Sequence, residues 1–423
     1  MGIRKKIAAA ALLGLPITAS AFQTTEDILW PEKGKFPAYP QEQESDKRRV
    51  EFSLSGGLYH DSNLFRLSDS TNPQTAIGTD DKSGNVARVG VGLKANLPVS
   101  RQRLLIDASV DDYKYEHFGL LDNVSYRAGA TWKWQLASQW SGEVGYNRQH
   151  YLASLAEIQA AIKDMITMDH AFANAGYLLT PRWRIRGGLD WFKYNHGDET
   201  RTTLDNHTTS ATAGLDYITP AGNSVGGQVK YTKGEYPNRE FVAGSFVDNE
   251  YDETETSAVA HWMVTGKSTF DGRLGYTRRT HSQLSQRDFS GVTGRLSYDW
   301  TPGAKTLLNF ALWREIRSIE DISSSYVLSR GASFGPSWAP TSKLVLQAKL
   351  VHEKRDFEGD PGFVLLAGPQ REDTFRGLRL AAGYTPRRNI ELALAVERGE
   401  RDSNIFGRDY NYNAVSANAK LRF

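Results

Sequence analysis

Between Val50 and Phe423 the chain repeats one pattern, segments of about ten to thirteen residues in which apolar side chains alternate with polar or charged ones. The clearest are VARVGVGLKANL (Val86 to Leu97), VSYRAGATWKWQL (Val124 to Leu136), WRIRGGLDW (Trp183 to Trp191) and LVLQAKL (Leu344 to Leu350). A two-residue period puts successive side chains on opposite faces of an extended strand, so one face is apolar throughout and the other carries ions. In a dry core that second face is costly, because every unpaired charge loses its hydration. A water-filled interior inside an apolar exterior removes the cost, and that is the arrangement of a transmembrane antiparallel β-barrel. The composition agrees: 24% of the residues are charged, yet 11% are aromatic, with 10 Trp and 38 Gly. No stretch beyond the N-terminal segment approaches about 18 consecutive apolar residues, which excludes a bundle of membrane helices.

The connections alternate in length. Short ones are expected to centre on Leu97-Pro98, Thr180-Pro181, Thr219-Pro220, Thr301-Pro302, Ala339-Pro340 and Thr385-Pro386, where proline pre-sets a turn and ends the ladder. Long ones, rich in Asp, Ser, Asn and Gly, are expected near 61–85, 152–167, 196–206, 236–253, 281–288, 317–325, 356–372 and 401–410. Short periplasmic turns alternating with long extracellular loops is the wiring of an outer-membrane barrel. The expected fold is therefore all-β, a closed barrel of about eighteen strands with both ends of the barrel sequence on the short-turn side, wide enough to leave an aqueous channel. Trp134, Trp140, Tyr177, Trp183, Tyr217, Trp262, Phe270, Tyr298, Trp300, Trp338 and Tyr384 flank the short turns on the apolar face, as an interfacial girdle would. Phe423 falls on that face too, so the segment Val415 to Phe423 reads as the closing strand, with its aromatic end at the membrane boundary.

Arg4, Lys5 and Lys6, then IAAAALLGLPI, then Ala19-Ser20-Ala21 form the layout of a secretory signal peptide over residues 1–21. Residues 22–47 make a Pro- and charge-rich leader, expected in the periplasm as a docking segment or an unfolded lead-in, and residues 48–423 make the outer-membrane barrel. Removing residues 1–21 turns 51 basic against 49 acidic residues into 48 against 49, a balance with no nucleic-acid footprint. With no cysteine there are no disulfides, thiolate metal sites or thiol nucleophiles, and the residues imply no cofactor and no metal.

The candidate functional residues are those the alternation turns inward. The lumen-lining set is Arg88, Lys94, Arg127, Lys133, Arg184, Arg186, Asp190, Lys230, Arg273, Arg295, Lys349, Arg379, Lys420 and Arg422, accompanied by further acids such as Asp107, Asp111, Asp216, Glu391 and Glu397. Opposite charges on neighbouring strands should pair and brace the wall, leaving a mixed, hydrogen-bonding surface suited to sugars, water and ions. GASFG (Gly331 to Gly335) matches a serine nucleophile elbow in letters, but it runs on as a strand where that motif needs a strand, a turn and a helix, and GKST at Gly266 lacks the first glycine of a phosphate loop. Ser333, His170 and His261 are thus expected to be inward polar residues, with an outer-membrane lipid-modifying enzyme as the competing reading. DNEYDETE (Asp248 to Glu255) is expected as a solvated loop flank, with divalent-ion binding beside lipopolysaccharide as its competitor. LAEIQAAIKDMI (Leu155 to Ile166) has helical spacing inside a long loop, and two outcomes stand side by side: a constriction folded into the lumen, or a cap on the rim.

The stretch YHDSNLFRL (Tyr59 to Leu67) resembles the opening signature of outer-membrane barrels encoded with exopolysaccharide systems, the EpsL-type proteins of exosortase, or PEP-CTERM, loci. The block carrying the likeness is Asp61, Ser62, Asn63, Leu64, Phe65 and Arg66, and the layout of leader, Thr-Pro turns and terminal Phe423 extends it over the chain. The resemblance implies passive export of a secreted polysaccharide through a polar lumen, with a periplasmic polysaccharide-export protein delivering the chain and no catalytic residues. It also implies lipopolysaccharide and outer-membrane lipids as surroundings, and barrel-assembly machinery reading Phe423. A general or sugar-uptake diffusion porin is the alternative in the same place. For Asp61, Asn63 and Arg66 the residues themselves favour a local turn over sugar binding.

Overall fold

The computed structural model describes residues 49–238, 240–242, 245–283, 285–317, 326–358 and 370–423; residues 1–48, on which the signal-peptide and leader readings fall, lie outside the described residues. The strands are β1 (Arg49–Asp61), β2 (Gly84–Val99), β3 (Gln102–Tyr115), β4 (Asn123–Leu136), β5 (Trp140–Leu152), β6 (Met165–Thr180) and β7 (Trp183–Asn195). There follow β8 (Asn206–Ile218), β9 (Ser224–Glu235), β10 (Glu240–Val242), β11 (Ser245–Val247), β12 (Tyr251–Thr265), β13 (Ser268–His281) and β14 (Phe289–Gly303). The last are β15 (Thr306–Arg317), β16 (Tyr326–Trp338), β17 (Leu344–Glu358), β18 (Glu372–Arg387), β19 (Ile390–Ser403) and β20 (Tyr410–Arg422). Apart from the small β10–β11 hairpin, every strand pairs antiparallel with the next in sequence, β9 pairs with β12, and β20 pairs with β1 to close an 18-stranded barrel. Closure gives each of the 18 barrel strands a hydrogen-bonded neighbour on both sides, the condition for crossing hydrocarbon with a sheet. Phe423 extends the seam, its backbone exchanging hydrogen bonds with Phe52 at 2.9 and 3.3 Å. Among the described residues no helix is long and apolar enough to cross a membrane.

Short turns and long loops alternate around the barrel, but the prolines sit differently from the expectation. Pro181, Pro220 and Pro340 lie in turns, whereas Pro98, Pro302 and Pro386 are still inside β2, β14 and β18. The reversals come later, at 100–101, 304–305 and 388–389. Pro302 and Pro386 fall where the register shifts, between Trp300 and Gly303 and between Tyr384 and Arg387, so the missing N–H is absorbed by a bulge. The acidic stretch 248–255 is also misread as a loop flank: β12 begins at Tyr251, Glu253 pairs with Arg279 at 2.8 Å and Glu255 binds Arg273. No cluster of metal-binding side chains occurs among the described residues.

The period-two rule sorts the wall into two faces. Val50, Phe52, Leu54, Val89, Val91, Leu274, Leu312, Leu394 and Val415 stand exposed on the outside. Their neighbours in sequence point into the barrel. On the inner face of β1, β2 and β20 the wall is thin, because two side chains lie across glycines: a Cβ at Gly90 would come 2.0 Å from Asp111 Oδ1, and one at Gly57 would come 2.3 Å from Asn418 Oδ1. The inner face changes character along the axis. Toward the long loops its residues are buried, as with Tyr59, Tyr113, Tyr115, Phe375, Tyr410 and Tyr412; toward the short turns Ser53, Leu105, Gln347 and Asn418 are half-exposed.

Candidate functional site: the lumen and its plug

At the long-loop end the barrel is filled by its own loops. The block after β1 folds inward because its polar atoms satisfy one another. Asp61 accepts from the Tyr59 hydroxyl at 2.5 Å, from the Asn63 amide at 2.8 Å and from the Arg66 guanidinium at 2.8 Å. The Asn63 side chain closes a turn with the backbone of Leu67 (2.8 and 2.9 Å) and reaches the Asn411 carbonyl at 3.0 Å. Ser62 is stitched to Asn413 by two hydrogen bonds of 2.9 Å. Arg66 takes a left-handed backbone, φ 57°, which lays its guanidinium 3.5 Å above the Tyr412 ring. Leu64, Phe65 and Leu67 are thereby driven into an apolar cluster with Phe118, Tyr113, Trp313 and Phe375, residues from opposite sides of the lumen. The carboxylate, amide and guanidinium of the block are consumed in holding this shape, so the local-turn reading, extended by ties to β20, accounts for them.

The loop between β5 and β6 folds inward as well, which decides between constriction and cap. Its helical spacing yields only a single turn, α1 (Leu155–Ile158), because Gln159 adopts φ 52° and ends it. That turn delivers Glu157 to the far wall. Glu157 meets Arg401 at 2.6 Å and Arg371 at 3.2 Å, while Arg408 donates to its carbonyl at 3.3 Å. Burial alone would raise the Glu157 carboxyl, but the guanidiniums of Arg401, Arg371, Arg355 and Arg408 outweigh it and hold it at about 2. The loops are also tied to each other: Gln159 donates to the Arg66 carbonyl at 2.7 Å, and Lys163 donates to the Asp122 carbonyl at 2.5 Å. At the root of the loop Asp164, wholly buried, accepts from the Gly197 amide at 2.9 Å and Arg201 at 3.1 Å, with His196 Nδ1 at 2.6 Å. Burial opposes its charge, and His196 with the backbone amides of Asp198 and Gly197 still draws its carboxyl below the usual range. The plug is therefore a cross-linked unit made of several loops.

Beneath it the wall is braced by ion pairs between strands. Arg88 binds Asp111 at 2.7 Å; Lys94 and Arg127 share Asp107 at 3.3 and 3.2 Å. Arg184 and Arg186 converge on Asp216 at 2.6 and 3.0 Å, and Asp190 faces His170 at 3.3 Å. Arg273 and Arg295 both hold Glu315, at 2.9 and 2.6 Å; Arg379 holds Glu397 at 3.2 Å; Arg422 lies between Glu391 and Glu51. Lys133 stands opposite Glu143, and Lys349 opposite Arg379. Lys230 and Lys420 differ from the rest: no ion pair is recorded for either among the described residues, although Lys230 stands opposite Glu255 and Lys420 opposite Glu391. The sequence reading missed Glu157, Arg355, Arg371, Asp373 and Arg401, which carry the plug's contacts. Asp373 and Arg401 do obey the two-residue period of β18 and β19, so their inward direction was available; what each meets depends on loops that no period describes.

Lys420 lines a recess in the wall with Ser53, Ser55, Lys94 and Asn418. Replacing Lys420 with Glu should lower the anion-to-cation permeability ratio by about two- to five-fold, because it reverses a lumen charge that is not locked in an ion pair among the described residues; reversal potentials in a salt gradient read this directly. Ser333 faces inward between Ala311 and Val351, and its hydroxyl has no partner. His261 is 2.6 Å from Asp271 on another part of the wall. Ser333→Ala and His261→Ala variants should conduct like the parent; loss of lipid hydrolysis in either would revive the enzyme reading.

A family model described as "Putative beta-barrel porin 2" matches residues 71–423. No curated protein sequence matches the chain. Among solved structures the fold is similar to Pseudomonas aeruginosa OccK5 (OpdH), at 14% identity and TM-score 0.46 over 88% of this chain and 98% of that one. It is also similar to the outer membrane protein opdK of the same organism (9%, TM-score 0.49, 89% and 99%) and to its siderophore receptor PirA (8%, TM-score 0.42, 89% and 80%).

Proposed function

This chain belongs to that β-barrel porin family and is an integral outer-membrane protein, and from that premise we propose that it is an exit porin for a secreted polysaccharide, of the EpsL type. The observation that carries the reading is the one-sided filling of the lumen. With short turns periplasmic and long loops extracellular, the periplasmic half of the inner wall is open to water while the extracellular half is occupied by the plug. Such a pore is accessible to a chain arriving from the periplasm and shut to solutes outside until the loops move. Conduction is passive; the lumen supplies hydroxyls, amides and paired ions that trade hydrogen bonds with sugar hydroxyls. Residues 22–47 are the proposed docking segment for a periplasmic polysaccharide-export protein, and Phe423 is the proposed signal to the assembly machinery.

A second reading, a diffusion porin for small polar solutes, is favoured by the balanced ion pairs of the wall, which set no strong charge requirement. Efflux from proteoliposomes separates the two. Vesicles loaded with a size ladder of oligosaccharides should release long chains once the loop between β5 and β6 is shortened; release that stops at mono- and disaccharides would establish the diffusion porin instead.

A further inference from the structure

The eight short turns, at 100–101, 137–139, 181–182, 219–223, 266–267, 304–305, 339–343 and 388–389, contain no aspartate or glutamate. They carry Arg101, Arg182, Lys267, Lys305, Lys343 and Arg388, and Arg387 immediately precedes the last of them. All seven side chains are exposed. Where they bond, they bond to neutral oxygens at or beside the next turn around the rim: Arg101 to the Ala137 carbonyl (2.8 Å), Arg182 to the Tyr217 hydroxyl at the end of β8 (3.0 Å), Lys267 to the Pro302 carbonyl at the end of β14 (3.5 Å) and Lys305 to the Pro340 carbonyl (2.6 Å). None of the seven has an ion-pair partner among the described residues. The opposite rim behaves otherwise, since charges on its outer face neutralise one another: Lys114 with Asp122 (3.2 Å), Arg148 with Asp169 (3.3 Å), Lys354 with Glu372 (2.5 Å) and Arg376 with Asp402 (3.1 Å).

We propose that the short-turn rim is a binding surface for anionic phospholipid headgroups of the periplasmic leaflet, each phosphate held between neighbouring turns. Depth supports this occupant. Trp140, Trp183, Trp262, Trp300, Trp338 and Tyr384 stand exposed on the outer face beside the same turns, the level at which aromatic belts meet headgroups. Arg182 bonds to the hydroxyl of Tyr217, itself on the outer face, so at least one cation is aimed toward the lipid side. Distribution supports it too. The cations occupy six of the eight turns, spread around the circumference. An annulus of lipid touches every side of a barrel, whereas a protein docked at one side needs a one-sided patch and a polymer on the axis meets the inner wall. The inference is independent of what the pore carries.

Seven of the ten tryptophans, Trp132, Trp134, Trp140, Trp183, Trp262, Trp300 and Trp338, lie near this rim and report on the lipid beside it. The full chain is reconstituted in phosphatidylcholine bilayers, and tryptophan quenching is compared for phosphatidylcholine and phosphatidylglycerol brominated near the glycerol end. The parent should prefer phosphatidylglycerol by about five-fold at low salt, falling toward parity at high salt, as expected for Lys and Arg beside anionic lipid. Changing all seven cations to Gln should abolish the preference while leaving phosphatidylcholine quenching unchanged. Should that variant fail to insert, two half-sets, Arg101/Arg182/Lys267 and Lys305/Lys343/Arg387/Arg388, should each retain part of it. Equal quenching by both lipids in the parent, or an undiminished preference in the variants, overturns the proposal.

Discussion

Replacing residues 155–162 with a short glycine-serine link raises single-channel conductance in planar bilayers at least about two-fold, because a barrel of 16–18 strands ordinarily encloses an aqueous channel and this loop helps to fill it. The effect should be large because the loop contributes at three points of the plug. It inserts Leu155 and Ala156 into the apolar cluster, it supplies the carboxylate of Glu157 to the far wall, and through Gln159 it holds the block around Arg66. The strands flanking it, β5 and β6, keep a full ladder from Trp140 to Leu152, so the barrel itself should remain intact and resist unfolding in detergent at room temperature. An unchanged trace in a correctly inserted variant would mean that the remaining loops suffice to close the lumen.

Glu157→Gln should open the same plug with one side chain. Arg401 and Arg371 are nearly inaccessible to solvent, and both point at the carboxylate that the substitution neutralises. Asp373 retains part of their charge, at 2.6 Å from Arg371 and 3.8 Å from Arg401, but it cannot replace a carboxylate placed between them. Breaking a buried pair by removing one partner costs about 3–5 kcal/mol, enough to shift a closed–open equilibrium by roughly two to four orders of magnitude. The expected readout is frequent opening in single-channel records and proteolysis within 153–164. The pH dependence has a definite sign. The folded-state carboxyl, at about 2, is depressed below its ordinary value, so its stabilisation is complete above the ordinary carboxylate range and is lost as pH falls through about 2. Acidification to pH 4 therefore leaves the parent closed, and the Glu157→Gln variant opens at neutral pH without acid.

Barrel and strand number were legible because both follow from a two-residue period that a strand imposes on every side chain. Arg186 and Asp216 can be sent inward from sequence alone; that Arg184 joins them on one carboxylate requires the register of β7 against β8. The acidic stretch shows the same limit from the other side. Glu253 and Glu255 share a parity with Ser257 and Val259, so the period already extended β12 to them, yet acid-rich composition suggested solvent. The plug was the least legible element. The apolar run Leu64, Phe65 and Leu67 inside an otherwise polar loop was the available sign that the loop turns inward. Nothing local predicts that Glu157 will meet Arg401, a residue separated from it by 244 positions and brought near only by barrel closure. The misplacement of Pro98, Pro302 and Pro386 has a simpler cause: proline ends hydrogen bonding at its own nitrogen, while the strand continues through a bulge or an edge of the ladder before it reverses.

The location of the polymer in a strain lacking this chain tests the proposed exit of a polysaccharide through the lumen most directly. An exit porin leaves such a strain with little extracellular polymer and with polymer accumulated in the periplasm, and the parent gene restores secretion. Normal secretion in the deletion strain would contradict it and leave a porin for small solutes.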